Sequence, residues 1–121
     1  MLVLQQSVLH VRNAARLMGI LKTELGVPSD RIRIVLNRYR KDALVELDDV
    51  RRSLDLDTVL TVPSHYRSAL ESLDTGVPLC EIDRNSALAR SLRQVVTTLT
   101  GDRPVAHAGL LQRVLPNFLR K

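Results

Sequence analysis

The stretch RIRIVLN, residues 31–37, decides the fold class of this chain. Ile34, Val35 and Leu36 follow one another without a polar residue, and such a run is too apolar for a strand with one face in water. The stretch therefore predicts a strand that is covered on both faces and ends at Asn37. A strand of this kind belongs to a parallel sheet with helices on both sides.

Two shorter strand candidates flank this stretch. One is the apolar run at residues 2–4, and the other is residues 58–62, which stop at Pro63 because proline cannot donate to a ladder. Helical periodicity separates and follows the strands, at residues 14–25, 66–73 and 88–99. Another apolar stripe runs from residue 44 to 54, with Asp42 as its predicted N-cap, and residues 77–81 are predicted to be an extended connection.

Strands that alternate with helices require parallel pairing and right-handed crossovers. The sequence therefore predicts an α/β fold of three layers, a short parallel sheet with flanking helices.

Composition limits the class of protein. The 121 residues carry a net charge of +5, and 45% of them are hydrophobic, which indicates one packed domain and excludes a disordered chain. A single cysteine, Cys80, cannot form an internal disulfide, and no apolar run approaches the roughly 20 residues of a membrane span. We therefore expect a cytoplasmic protein. Basic residues are scattered and aromatic residues are few, so nucleic acid is not the expected partner.

The carboxyl ends of the predicted strands are the expected place for a ligand site. They carry Gln5-Gln6-Ser7, Asn37-Arg38-Tyr39 and Pro63-Ser64-His65. The same residue types also serve as ordinary turn formers, so the ends of the strands alone leave both interpretations open.

Catalytic motifs are not visible in the sequence. No glycine is followed by lysine, as a phosphate-binding P-loop requires, and no GxGxxG is present. His10, His65 and His107 lie far apart in the sequence without metal-ligand partners. We therefore predict no catalytic residues and no metal site in this chain.

Four segments, taken together and in order, resemble a known family. They are LVLQQSVLHVRNAARL (2–17), RIRIVLNRY (31–39), LTVPSHYRSALESLDTGVPLCEID (60–83) and SALARSLRQVVTTLTG (86–101). They resemble the second half of the MinD/ParA family of deviant-Walker P-loop ATPases, and most closely its CpaE/TadZ branch, which assembles and positions Flp (type IVb) pili. The resemblance covers residues 1–101 and leaves 102–121 as a basic amphipathic tail.

The resemblance implies a nucleotide site. Asn37, followed by Arg38, would place an amide beside the adenine ring, and the loop Pro63-Ser64-His65 would cover the base mainly through backbone groups. Many relatives carry an acidic residue where this chain has His65. The P-loop and the magnesium-positioning aspartates belong to the first half of the family fold. ATP and Mg²⁺ are therefore expected only for an intact parent protein, and this chain alone should not hydrolyse ATP.

The resemblance also implies partners. The strand at residues 2–4 would be left as an open apolar edge, which predicts a homodimer or another form of self-association. Proteins of the pilus and secretion machinery are the other expected partners, at the inner membrane or the cell pole.

The tail has apolar residues near one face, interrupted by Pro116, and two terminal cations: Leu111, Val114, Leu115, Phe118, Leu119, Arg120 and Lys121. It is similar to the membrane-targeting helix at the end of MinD proteins, which implies peripheral membrane contact. Packing on the domain or on a partner subunit is the alternative. For the whole chain, the alternative function is a non-enzymatic α/β module that binds protein or membrane.

Overall fold

The computed structural model describes residues 1–101 as a three-layer α/β domain. Its sheet has three parallel strands in the order β1 (Leu2–Gln5), β2 (Ile34–Tyr39) and β3 (Leu60–Pro63). The α/β fold and the parallel sheet predicted from the sequence are confirmed.

Five helices surround the sheet in the described residues. They are α1 (Val8–Thr23), α2 (Leu47–Leu54), α3 (Tyr66–Thr75), α4 (Leu79–Ile82) and α5 (Ala87–Thr100). The two longest begin at serines whose hydroxyl oxygens accept a hydrogen bond from a backbone N–H three residues later, Ser7 in α1 and Ser86 in α5. No helix within residues 1–101 is long and apolar enough to cross a membrane.

The alternation of side chains along β2 builds the core on both sides of the sheet. Ile34 and Leu36 pack with residues of α1 and α2, whereas Val35 packs with Leu88 and Val95 of α5. Right-handed crossovers between neighbouring strands in the order 1-2-3 place α1 and α2 on the same face. The second face is left to the part of the chain that follows β3.

The prediction of a helix beginning at Asp42 is wrong. Helix α2 begins at Leu47, where Glu46 and Asp49 form a capping box, and the Leu44 side chain is 96% exposed. The apolar spacing at 44–54 is helical, but the side chain of Gln6 hydrogen-bonds the backbone of Arg40 and Val45 and holds that segment outside the helix.

Strand boundaries also differ from the predictions. Residues 29–31 form a single 3₁₀ turn, so β2 begins at Ile34, and β2 continues beyond Asn37 to Tyr39 through an irregular step. Residues 77–81 are not extended. The left-handed Gly76 ends α3, and Pro78 then starts the short helix α4.

Candidate functional site

The carboxyl ends of the three strands lie together at one edge of the sheet, as expected for parallel pairing. Gln5 of β1 pairs with Asn37 of β2, and Tyr39 of β2 pairs with Pro63 of β3. The residues that follow these strands therefore share this edge, where open α/β sheets bind their ligands.

One pocket of about 280 Å³ opens at this edge between β2, β3 and α3. All five residues that the sequence assigned to a nucleobase site line this pocket: Asn37, Arg38, Pro63, Ser64 and His65. Its volume lies just below the range of about 300–1,000 Å³ that small-molecule sites occupy. The pocket is therefore small for a ligand site.

The backbone is strained where β2 contributes to the pocket. Arg38 has a φ of 53°, in the left-handed region that non-glycine residues rarely adopt. The pairing with β3 is irregular between Leu36 and Tyr39, so Asn37 and Arg38 of β2 stand opposite the single residue Val62 of β3. Bulges and left-handed residues of this kind redirect side chains, and they cluster at functional sites.

Only one of the two polar atoms of the Asn37 side-chain amide is hydrogen-bonded within residues 1–101. Its Oδ1 accepts a hydrogen bond from the backbone N–H of Arg38 at 2.9 Å. Its Nδ2 makes no hydrogen bond to any other residue in 1–101. Asn37 therefore lines the pocket with its acceptor committed to the bulge and its donor unpaired within residues 1–101.

The opposite wall is the segment between β3 and α3. The Ser64 N–H donates to the carbonyl of Tyr39 at 3.1 Å, which ties this segment to the end of β2. The His65 carbonyl accepts from the N–H of Ala69 in the first turn of α3, while the His65 side chain is exposed.

Three further residues complete the pocket, and the sequence analysis did not single them out. Ala69 and Leu88 supply apolar surface from α3 and α5, and the aromatic ring of Tyr66 lies at the rim with 73% of its surface exposed. A tyrosine ring is a stacking surface for a base. The only feature of the sequence that could have indicated Tyr66 as a pocket residue was its position directly after His65.

The charge of the pocket lining is positive. Arg38 is the only Lys, Arg, Asp or Glu among the described lining residues, so the pocket suits a neutral or anionic ligand. The described residues contain no group of three or more His, Cys, Asp or Glu side chains that could hold a metal ion.

Gln6 braces the neighbouring loop between β2 and α2. Its Nε2 donates to the carbonyls of Arg40 and Val45, each at 3.0 Å, and its Oε1 accepts from the N–H of Arg40 at 2.6 Å. The Arg40 guanidinium hydrogen-bonds the Asp42 carboxylate and lowers the pKa of Asp42. Both of those side chains are exposed, so their attraction is screened by water.

A second polar pair lies at the end of β1. The Ser7 hydroxyl is 2.5 Å from His10 Nδ1 and also accepts the backbone N–H of His10 at 3.3 Å. The cap of α1 accounts for this geometry, because the serine oxygen is satisfying a free N–H of the first turn. No acidic side chain within residues 1–101 hydrogen-bonds His10, so the pair lacks the third member of a catalytic triad.

Comparisons with protein-family models, curated proteins and solved structures gave no match to this chain. The geometry of the site joins a small pocket, an amide donor that is unpaired within residues 1–101, an aromatic rim and one cation. The predicted membrane or partner residues of the tail, residues 111–121, lie outside the described part of the chain.

Proposed function

We propose that this chain is the C-terminal half of a CpaE/TadZ-like, MinD/ParA-type ATPase that acts in Flp (type IVb) pilus assembly and its subcellular positioning. The observation that supports the proposal best is the shared pocket, because the residues that resemble a nucleobase site line one cavity. The resemblance of four segments, in order along an α/β fold, is the second support. In this proposal the protein works in the cytoplasm, at the inner membrane or the cell pole.

The residues of this chain fit a base better than a triphosphate. Asn37 Nδ2 would donate to a ring nitrogen, Tyr66 would stack on the ring, and the backbone around Ser64 would close the other side. The described residues offer neither a phosphate-binding glycine loop nor a cluster of acids for Mg²⁺. Phosphate and Mg²⁺ contacts supply much of the recognition in P-loop ATPases, so this chain alone should bind ATP weakly and should not hydrolyse it.

Amide NMR shifts during titration with adenosine test this proposal. We expect shifts confined to residues 37–39, 64–69 and 88, equal in size for adenosine and for ATP with Mg²⁺. Asn37→Ala should reduce the affinity by about fivefold, because one hydrogen bond to a ligand contributes about 1 kcal/mol. Asn13→Ala is the matched control, since Asn13 is exposed on α1, away from the pocket.

Two results would contradict the proposal. Equal shifts with uridine would show that the pocket does not recognise adenine. Tight, Mg²⁺-dependent binding of ATP would show that the chain is not a half-site.

Self-association is part of the proposal. Within residues 1–101, β1 pairs only with β2, and its other edge carries the backbone groups of Val3. Because free strand edges pair with other chains, we expect a concentration-dependent dimer. Val3→Lys should weaken the dimer in light scattering, whereas Leu73→Lys, at an exposed residue of α3, should not.

A non-enzymatic module that binds protein or membrane is the second candidate. Val3 of β1 and Val8 and Leu9 at the start of α1 are exposed apolar side chains, and such surface favours this candidate. The two candidates differ in the titration above, since only the nucleotide-binding function predicts shifts with adenosine.

A further inference from the structure

The second face of the sheet is incompletely covered. Helix α5 packs on β3 and buries Val35 of β2, but Val3, which pairs with Val35 and lies on the same face, is 56% exposed. On α5, which covers the same side of the sheet, Leu92 and Val96 are each 41% exposed and Leu99 is 46% exposed. We call Val3, Leu92, Val96 and Leu99 the open face.

The exposed residues of α5 belong to the middle of its apolar arc. At about 100° per residue, Leu92, Val96 and Leu99 fall between the directions of the buried Leu88 and Ala89. Residues at the border of an apolar stripe are commonly half exposed, whereas residues inside the stripe are normally covered. The surface that should cover them is therefore supplied by something other than residues 1–101.

We propose that the segment 108–119 of this same chain docks on the open face and completes the third layer of the domain. Its sequence places five large apolar side chains close to one face at helical spacing: Leu111, Val114, Leu115, Phe118 and Leu119. Burying such side chains against Leu92, Val96 and Val3 removes apolar surface from water on both partners. The docking depends on these side chains and not on an unbroken helix, so Pro116 is compatible with it.

Gly101 follows α5 near the edge of the sheet where the strands begin, and from there segment 108–119 can reach the open face. Near the end of α5, Thr98 lines the same pocket as Arg33 and Thr58, at the amino ends of β2 and β3. The Arg33 carbonyl accepts from the N–H of Leu2, so β1 also begins there. Residues 102–107 can span about 20 Å when extended, which is enough to turn back along α5, itself about 21 Å long.

Tethering favours this segment over other occupants. A short linker holds a segment at an effective concentration on the order of millimolar, above the concentration at which a second copy would normally meet the face. The charged residues of α5, Arg90 and Arg93, are basic, as are the cations of the tail, so charge does not attract the two. The docking is therefore apolar and should not weaken as salt is added, whereas attachment of the tail to anionic lipid would weaken.

A spin label on the full chain tests the proposal. Cys80→Ser removes the single, exposed cysteine, and Gln112→Cys then carries a nitroxide. We expect the amide signals of residues 2–5 and 92–99 to lose most of their intensity, and those of α2 to keep theirs. The loss should persist at high salt. Leu115→Asp in the same protein should restore the signals, whereas Arg113→Asp, a charge change off the apolar face, should restore few of them.

A mixed sample distinguishes docking of the tail on its own chain from docking on a second copy. Spin-labelled chain without ¹⁵N is added to ¹⁵N-labelled chain without the nitroxide. Signal loss along residues 92–99 in this sample, which a dimer through the edge of β1 alone does not produce, would assign the open face to a second copy and overturn the proposal. Unchanged signals in the singly labelled protein, together with binding of the tail to phosphatidylglycerol vesicles, would assign the tail to lipid and equally overturn it. Neither result depends on adenosine binding.

Discussion

Gln6 is the residue whose removal tests the structure most directly. Its side chain makes three hydrogen bonds to the backbone of residues 40 and 45, more than 30 positions away in the sequence. We expect Gln6→Ala to lower the free energy of unfolding by about 2 kcal/mol, because each such bond contributes about 0.5–1.5 kcal/mol net. The bonds to Arg40 are exposed and fall at the low end of this range, while the bond to Val45 is partly buried.

The assay is thermal unfolding followed by circular dichroism. A loss of 2 kcal/mol corresponds to a fall in Tm of about 10 °C for a domain of this size. Gln5→Ala is the matched control, since the neighbouring Gln5 is exposed and its side chain makes no hydrogen bond within residues 1–101. Gln6→Glu should be as harmful as Gln6→Ala, because a carboxylate oxygen would face two carbonyls.

Equal melting temperatures for Gln6→Ala and Gln5→Ala would refute this reasoning. They would mean that residues 40–46 hold their position without Gln6. The turn before α2 would then need another cause.

Three further predictions concern the packing and the helix ends, and each is measured by urea unfolding. Leu36→Ala, at a fully buried position of β2, should lower the free energy of unfolding by about 3 kcal/mol. Leu44→Ala should change it by less than about 0.5 kcal/mol, because Leu44 is exposed. Similar losses for the two variants would contradict this difference in burial. Gly76→Ala should destabilise by about 1 kcal/mol because its φ is +67°, whereas Gly19→Ala, inside α1 with open space around it, should stabilise by about 0.5–1 kcal/mol. Ser86→Ala should cost about 1 kcal/mol through the lost cap of α5, and no loss would show that the cap is replaced by water.

Local patterns were enough to predict the parallel sheet. The apolar run at Ile34, Val35 and Leu36 requires cover on both faces, and the structure provides it. The same kind of pattern failed at Leu44, because hydrogen bonds from Gln6, distant in the sequence, override the helical spacing. A pattern within one segment carries no information about such a contact.

The candidate site, like the fold, could be predicted from local sequence patterns only in part. Because parallel strands end at a common edge, the sequence could predict that Asn37 and Pro63-Ser64-His65 lie close together. It could not show that the Asn37 oxygen is used by Arg38, since that depends on the irregular pairing of β2 with β3. Nor could it show that Leu88 reaches the pocket from α5, which is a matter of tertiary packing.

Within residues 1–101, the two faces of the sheet bury different numbers of apolar side chains, and this difference bears on local unfolding. The cluster beneath α1 and α2 has about twice as many buried residues within 1–101 as the cluster beneath α5. Local opening events follow the least packed elements, so amides of α5 should exchange with deuterium sooner than those of β2. Leu88 belongs to the smaller cluster and also lines the pocket. A ligand in the pocket would therefore slow exchange along α5, and every opening of α5 would dismantle one wall of the site.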